Sequence, residues 1–298
     1  MLTKRQAADA SPETDILPPS EHGREFHFSD ADFRSLVALA REHTGISLSD
    51  SKRNLVYGRL SRRLRALRME TFREYRDYLQ SKEGEQEIER FINSISTNLT
   101  KLFRESHHFD HFRTHVAGAF AQGRNRFGGK LRVWSAGCST GEEPYSIASV
   151  LRKEIADAER LDVKILATDI DTDVIAKGSL GEYSSEALSD VPATYREYMR
   201  AKEKGSKVVQ MGPELRNLIS FKRLNLMDNP WPFSGKFDAI FCRNVMIYFD
   251  GPTKANLIDR FIAQIKPDGW LYIGHSESLL GSHPNRELMG RTIYRRIP

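Results

Sequence analysis

The sequence predicts an α/β protein: a doubly wound sheet of mostly parallel strands, interrupted by a small insertion and preceded by an all-helical domain. Three observations carry this. Residues 26–95 keep a helical period throughout, short apolar runs alternate with helical patterns from Gly128 and Gly129 onward, and residues 183–218 follow neither period. Short apolar runs joined by helices imply parallel neighbours, because a parallel strand is reached by a crossover and not by a tight turn.

The elements follow in order. Residues 1–24 carry Pro12, Pro18 and Pro19 among small and charged residues, too little apolar surface to offset ordering entropy, and are expected to be a disordered tail. Residues 25–95 form the helical domain. Ser29 is the expected N-cap of a helix through Glu42, Ser49 or Asp50 that of another through Arg68, and two more helices fall at 71–81 and 84–95. A linker segment, 96–128, leads to the sheet domain, 129–298. There LRVWSAGC, VKILATDI, LISFKRLNL, FDAIFCRN, GWLYIGH and TIYRRI read as strands, with helices expected over 143–158, from Thr172, and over 253–265. Pro284 and Gly290 interrupt the stretch before the last run, leaving no room for a crossover helix, so that end of the sheet is expected to be antiparallel. Residues 183–218 are the insertion, with Val208 and Val209 in a short extended stretch.

Composition bounds the function. The chain has 298 residues, 39% of them hydrophobic, enough for two domains with real cores. Cys138 and Cys242 both sit in strand-like apolar runs, which argues for reduced thiols and a cytoplasmic location. No stretch approaches the roughly 20 apolar residues of a membrane span, and the start lacks the apolar core of a signal peptide, so no membrane insertion is expected. Nothing in the sequence requires more than a monomer.

The turn WSAGCSTGEE, 134–143, follows the first strand, where an open parallel sheet binds its ligand. Ala136, Gly137, Ser139 and Gly141 are small enough to let the backbone approach a ligand. Asp169, ending the second strand, is placed to bond both hydroxyls of a ribose, with Asp171 as a rival. The turn lacks the G-x-G-x-x-G of dinucleotide enzymes, and Glu142 and Glu143 at the helix start would repel a pyrophosphate. A cationic cofactor without phosphate, such as S-adenosylmethionine, fits better.

The strings STNLTKLFRESHHF (96–109), VWSAGCSTGEEPYSIA (133–148), ATDIDTDVI (167–175), FCRNVMIYFD (241–250) and GHSESL (274–279) resemble, in order and spacing, those of the CheR chemotaxis methyltransferases. The resemblance covers nearly the whole chain from residue 26. It implies a class I methyltransferase sheet, Rossmann-like, with a small β-subdomain as the insertion. It also implies S-adenosylmethionine as cofactor, S-adenosylhomocysteine as product, and glutamate carboxylates on the acidic methylation helices of a chemoreceptor's cytoplasmic domain as methyl acceptors. The cofactor-facing positions it implies are Asn98, Thr100, Arg104, Ala136, Glu142, Asp169, Asn225, Leu226, Cys242 and Arg243. Leu226 and Cys242 can equally be core residues that contribute backbone alone, and Phe103 and Tyr248 can offer aromatic faces to a sulfonium.

A glutamate acceptor is already ionised, with a reference pKa near ~4.3, so it requires orientation and desolvation and no base. Arg104 and Tyr248 are the candidate catalytic donors, as the resemblance also implies; Arg104 as a clamp on the cofactor carboxylate is the competing role. His107, His111 and His115 share a helix face with His108 beside them, but methyl transfer of this kind requires no metal and none is expected. Ser276 lies outside any G-x-S-x-G elbow.

Between Ser51 and Met69 stand Lys52, Arg53, Arg59, Arg62, Arg63, Arg65 and Arg68, with no acid. Val56, Leu60, Leu64 and Leu67 line one helical stripe, leaving a cationic face suited to an acidic partner. Nucleic acid would favour interleaved aromatics, and Tyr57 stands alone. The resemblance selects the receptor, with Lys52, Arg53, Arg59, Arg62 and Arg63 as contacts. In some members of the family the β-subdomain docks a short peptide at the receptor's C-terminus, and the lysine-rich loop AKEKGSKVVQMGPE leaves that open here. The rival readings are a class I methyltransferase of RNA or small molecules, and a non-catalytic cofactor sensor.

Overall fold

The computed structural model describes residues 24–297, apart from 124–127, 159, 278 and 280–283. The expected disordered tail lies outside the described residues except for Arg24, whose guanidinium bonds the Asn54 side chain at 2.7 Å.

Four helices open the chain: α1 (Asp30–Thr44), α2 (Arg53–Leu67), α3 (Phe72–Leu79) and α4 (Glu85–Ile95). Ser29 caps α1 in a reciprocal box with Asp32, and Gly45 ends it in the left-handed conformation. Neither Ser49 nor Asp50 caps α2. A 3₁₀ turn over Asp50–Lys52 leads into it and no side chain bonds its first amides. Phe33, Leu36, Val56, Leu60, Leu64, Phe72, Tyr75 and Phe91 form a core of their own for these helices.

After α5 (His107–Phe112), a π-helical turn (Arg113–Ala117) and α6 (Gly118–Ala121), the main sheet is built from β1 (Lys130–Ala136), β2 (Asp162–Asp169), β6 (Ile219–Arg223), β7 (Phe237–Cys242), β8 (Ile265–Ile273), β9 (Arg286–Gly290) and β10 (Ile293–Arg296). Its order is β6-β2-β1-β7-β8-β10-β9. The pairs among β6, β2, β1, β7 and β8 are parallel, and β10 runs antiparallel to both β8 and β9. The antiparallel end is as expected, but β9 was not anticipated: RELMG is too polar to show as a strand. The crossovers are α7 (Glu142–Glu154), α8 (Thr172–Leu180) and α10 (Gly251–Gln264). The insertion carries β3 (Glu182–Ser184), β4 (Met199–Ala201) and β5 (Val208–Met211) as a small antiparallel sheet, followed by α9 (Pro213–Arg216).

Two cores cover the two faces of the main sheet. Leu131, Val133, Ala239 and Phe241 face Phe109, Phe112, Tyr145 and the insertion. Trp134, Ala136, Ile240 and Cys242 face Leu257, Phe261 and Trp231. The alternation along β1 and β7 is the period-2 pleat with both faces buried. The order of strands reverses between β1 and β7, and the carboxyl ends flanking that point are where a ligand crevice forms.

Candidate active site

At those ends lies a cleft with about 1050 Å³ of empty space, its open mouth included. Three groups of residues make its walls. Gly137, Ser139, Glu143, Asp169 and Ile170 come from the exits of β1 and β2, Leu224–Leu226 follow β6, and Arg243, Asn244, Val245, Tyr248 and Phe249 follow β7. Thr44, Ile46, Leu48 and the segment Ile95–Lys101 with Arg104 close it from the helical side.

The turn after β1 is held against β2. Gly137 and Cys138 donate their amides to the Thr168 carbonyl at 2.8 and 2.9 Å. Gly137 is left-handed at φ +80°, and a Cβ there would lie 2.3 Å from Val245 Cγ2, so glycine is required. Asp169, buried, accepts the Ser139 amide on Oδ2 at 2.8 Å and the Asp171 amide on Oδ1 at 3.1 Å. Burial pushes its pKa up while these amides pull it down. Each oxygen keeps a lone pair for a further donor. Asp171 is occupied elsewhere: its side chain caps α8 through the amides of Asp173 and Val174 and accepts the Asn98 amide at 2.7 Å. Of the two acids, Asp169 and not Asp171 borders the cleft.

Of the two adjacent glutamates, Glu143 and not Glu142 faces the cleft. Glu143 accepts Ser135 Oγ at 2.7 Å and Arg243 Nη1 at 3.2 Å; burial raises its pKa, opposed by the Arg243 charge. Glu142 bonds Thr140 at the insertion side. Ala136 and Cys242 point into the sheet core and do not border the cleft, whereas Leu226 does. Phe103 is buried, stacked on Tyr195 with centroids 4.9 Å apart, and presents no face to a sulfonium. Asn98, Thr100, Arg104, Asp169, Asn225, Leu226, Arg243 and Tyr248 all come together in the walls.

Arg243 is 3% exposed and pairs with Glu143 at 3.2 Å and Glu105 at 3.4 Å, with a further bond to the Arg104 carbonyl. Its Nε–H has no partner among the described residues. That nitrogen is shut off from solvent as well, so the wall offers a ligand two buried acids, Glu143 and Asp169, suited to an ammonium and to hydroxyls. Those acids fit S-adenosylmethionine and would repel a pyrophosphate. Tyr248 lies on a 3₁₀ turn (Met246–Tyr248) and is half-buried. Burial pushes its pKa up, countered by a hydrogen bond with Thr97 and by the charges of Arg104 and Arg59. Arg104 Nη1 bonds the Leu99 carbonyl at 3.0 Å.

The histidines take structural roles. His108 Nε2 bonds Thr292 Oγ1 at 3.1 Å, and His111 Nδ1 bonds the Tyr272 hydroxyl at 3.0 Å. Among the described residues no group of three or more metal-ligating side chains converges.

The basic face of α2 is divided by the structure. Val56, Leu60 and Leu64 are buried as the stripe requires. Arg63 is tied to buried Glu87 through both Nε and Nη2, at 2.7 and 2.8 Å, and Arg53 pairs with Asp30 at 2.5 Å and bonds the Phe28 carbonyl. Arg59 turns inward, donating to the carbonyls of Ile95 and Ser96 at 3.0 and 2.6 Å, next to the cleft wall. Lys52, Arg62 and Arg68 stay exposed.

Sequence reasoning named Glu143 at the turn but left it out of the cofactor-facing positions, and it missed Asn244, which borders the cleft, and Glu277, which does not. Glu277 left a signal, a glycine three residues ahead whose amide its carboxylate can reach.

The family comparisons agree with this geometry. Residues 98–295 match the model described as CheR methyltransferase, SAM binding domain, and residues 31–96 match CheR methyltransferase, all-alpha domain. The chain is 41% identical to Chemotaxis protein methyltransferase 2 of Pseudomonas aeruginosa, over 94% of this chain and 98% of that protein. It is 43% identical to Chemotaxis protein methyltransferase of Escherichia coli, over 89% and 91%. With a cofactor cleft at the switch point of its sheet and both family models together spanning the helical and sheet regions, the chain belongs to the CheR methyltransferase family.

Proposed function

We propose that this protein transfers the methyl group of S-adenosylmethionine to glutamate side-chain carboxylates of chemoreceptors, forming glutamate methyl esters and S-adenosylhomocysteine for sensory adaptation. Its class is that of the family, an S-adenosylmethionine-dependent methyltransferase. When bound, the cofactor supplies an electrophilic methyl group on a sulfonium.

The chain's own residues do the rest. Asp169 would accept from the ribose hydroxyls, and Glu143 and Arg243 would hold the ammonium and carboxylate of the methionyl end. Asn98, Thr100, Asn225 and Leu226 complete the wall. The observation that carries the reading is the presence of two donors, Arg104 and Tyr248, in a wall whose described residues include no histidine. Lys101, which is in the wall, is paired with Asp190 at 3.1 Å. Donors without a base suit an acceptor that is already an anion, and a carboxylate held by two donors is oriented and stripped of water before reaction. An RNA or amine acceptor would require deprotonation.

The exposed part of the α2 face, Lys52, Arg62 and Arg68, lies along the acidic methylation helices of the receptor's cytoplasmic domain, with Arg59 linking that face to the cleft. Those helices are in the cytoplasm, so the protein works there, and no described helix is long and apolar enough to cross a membrane. Transfer of labelled methyl to purified receptor cytoplasmic fragments, followed by mild alkali, tests the proposal. Label released as volatile methanol supports esterification; stable label, or label on RNA only, overturns it.

A further inference from the structure

The motif GHSES has no part in the chemistry above, yet its acid is deeply built into the site. Glu277 is 8% exposed and sits in a 3₁₀ turn (His275–Glu277) directly after β8. Its carboxylate crosses to the neighbouring strand's exit. Oε2 accepts the amide of Gly274 at 2.7 Å and that of Asn244 at 2.8 Å, and Oε1 accepts the amide of Ile247 at 3.1 Å. Two of the three bonded amides, those of Asn244 and Ile247, belong to the loop from Arg243 to Asp250 that follows β7. Asn244 is left-handed there at φ +59°, a conformation asparagine tolerates, and the carboxylate receives its amide in that form. Gly274 permits the approach: a Cβ on it would stand 2.7 Å from Glu277 Oε2 and 2.8 Å from the Asn244 amide nitrogen. Arg243 at one end of the loop and Tyr248 at the other line the cleft, while Glu277 does not.

We infer that Glu277 is a positioning residue for methyl transfer, its ionised carboxylate fixing the loop that presents the Tyr248 hydroxyl to the acceptor. The inference rests on the reading of Tyr248 as a donor to that acceptor. Three amides converge on two oxygens, so the group there must accept at every position. Glutamine would turn N–H groups toward N–H groups and let the loop relax. A shift of Tyr248 by a fraction of its reach separates donor from acceptor without emptying the cofactor wall.

The test compares Glu277→Gln, Gly274→Ala, Tyr248→Phe and the Glu277→Gln/Tyr248→Phe double variant in the full chain. S-adenosylhomocysteine affinity is measured by titration, and kcat and KM with receptor fragments. Glu277→Gln is expected to keep its product affinity and its KM while kcat falls on the order of 10²-fold. The double variant is expected to be no slower than Tyr248→Phe alone, because a hydroxyl that is gone cannot be misplaced. Gly274→Ala, which pushes the same contact apart from the other side, is expected to reproduce the fall in kcat and decides the matter if Glu277→Gln does not fold. A parental kcat in the folded variants overturns the inference, as does a loss that multiplies fully on that of Tyr248→Phe; both leave the donor role of Tyr248 standing. A parental kcat in Tyr248→Phe itself removes that role and the inference with it.

Discussion

Tyr248 reaches the cleft because its backbone is held on two sides. Its carbonyl accepts the Ser47 amide at 2.7 Å and its amide donates to Val245 at 3.2 Å. Burial keeps the phenol protonated at neutral pH, so it can donate to a carboxylate acceptor. Replacing it with phenylalanine should leave cofactor affinity intact and lower kcat on the order of 10²-fold, the effect of removing one preorganised donor from an anion site; equilibrium titration beside steady-state methylation measures both. Asp169 makes a contrasting residue. It accepts two amides and fronts the cofactor wall, so Asp169→Asn should weaken cofactor binding by about tenfold or more, with kcat at saturating cofactor less affected. Asp169 was legible in the sequence because a strand end fixes where its side chain goes. The choice of Glu143 over Glu142 was not, since it depends on the rotation of α7 about its axis, and Phe103 was misread because its stacking partner Tyr195 lies in the insertion, far along the chain.

At the scale of elements, α2 shows how a charge run divides once a helix is packed. Its apolar stripe was legible from spacing alone. Which arginines are committed was not, because Glu87 lies on α4 and Asp30 on α1, and only the packing of those helices brings them in. Arg63 and Glu87 are 18% and 5% exposed, and the Tyr75 hydroxyl adds a bond to the same carboxylate at 3.1 Å. Removing one partner leaves the other buried and uncompensated, so Arg63→Glu should lower stability by about 3 kcal/mol and reduce all activities together. Charge reversal at the exposed Lys52 and Arg62 should leave thermal unfolding and cofactor affinity unchanged and raise KM for receptor fragments, more strongly at low salt than at high. Equal loss of cofactor affinity in the Lys52/Arg62 variant would argue against α2 as a receptor face. The strand β9 escaped notice for a related reason: it is an edge strand with mostly exposed residues, so no apolar alternation marks it.

The molecule as a whole depends on the helical region closing the cleft, and on a buried junction behind it that responds to pH. Asn225 donates to the His43 carbonyl at 2.7 Å, Arg41 pairs with Asp250, and Asn93 bonds Thr172 at 3.0 Å. The junction lies at α5, where His108 is fully buried against Arg291, Thr292, the Tyr272 ring, Glu105, His107 and Arg243. Burial, with the Arg243 and His107 charges, pulls its pKa down to about 3. His111 is pulled to about 4 by burial and by His115. Burial alone would raise Glu105, but the His275 hydrogen bond and the Arg243 charge outweigh it and bring it to about 2. The sign follows from proton uptake. Unfolded histidine binds a proton near pH ~6.5, and the folded state does not until far lower, so this stability is complete above the unfolded value and is lost as pH falls. Glu105 adds loss in the same direction only below the ordinary carboxylate range. Glu143 and Asp169, raised by burial, act in the opposite direction, so the wild-type profile alone does not isolate one group. Comparing denaturant unfolding at pH 7 and pH 5 in the parent and in His108→Gln, which keeps a donor for the Arg291 carbonyl, does isolate it. The parent should lose about 2 kcal/mol more than the variant over that interval; equal losses in the two proteins would mean that His108 takes up no proton on unfolding there, and would place any acid sensitivity over that interval in His111.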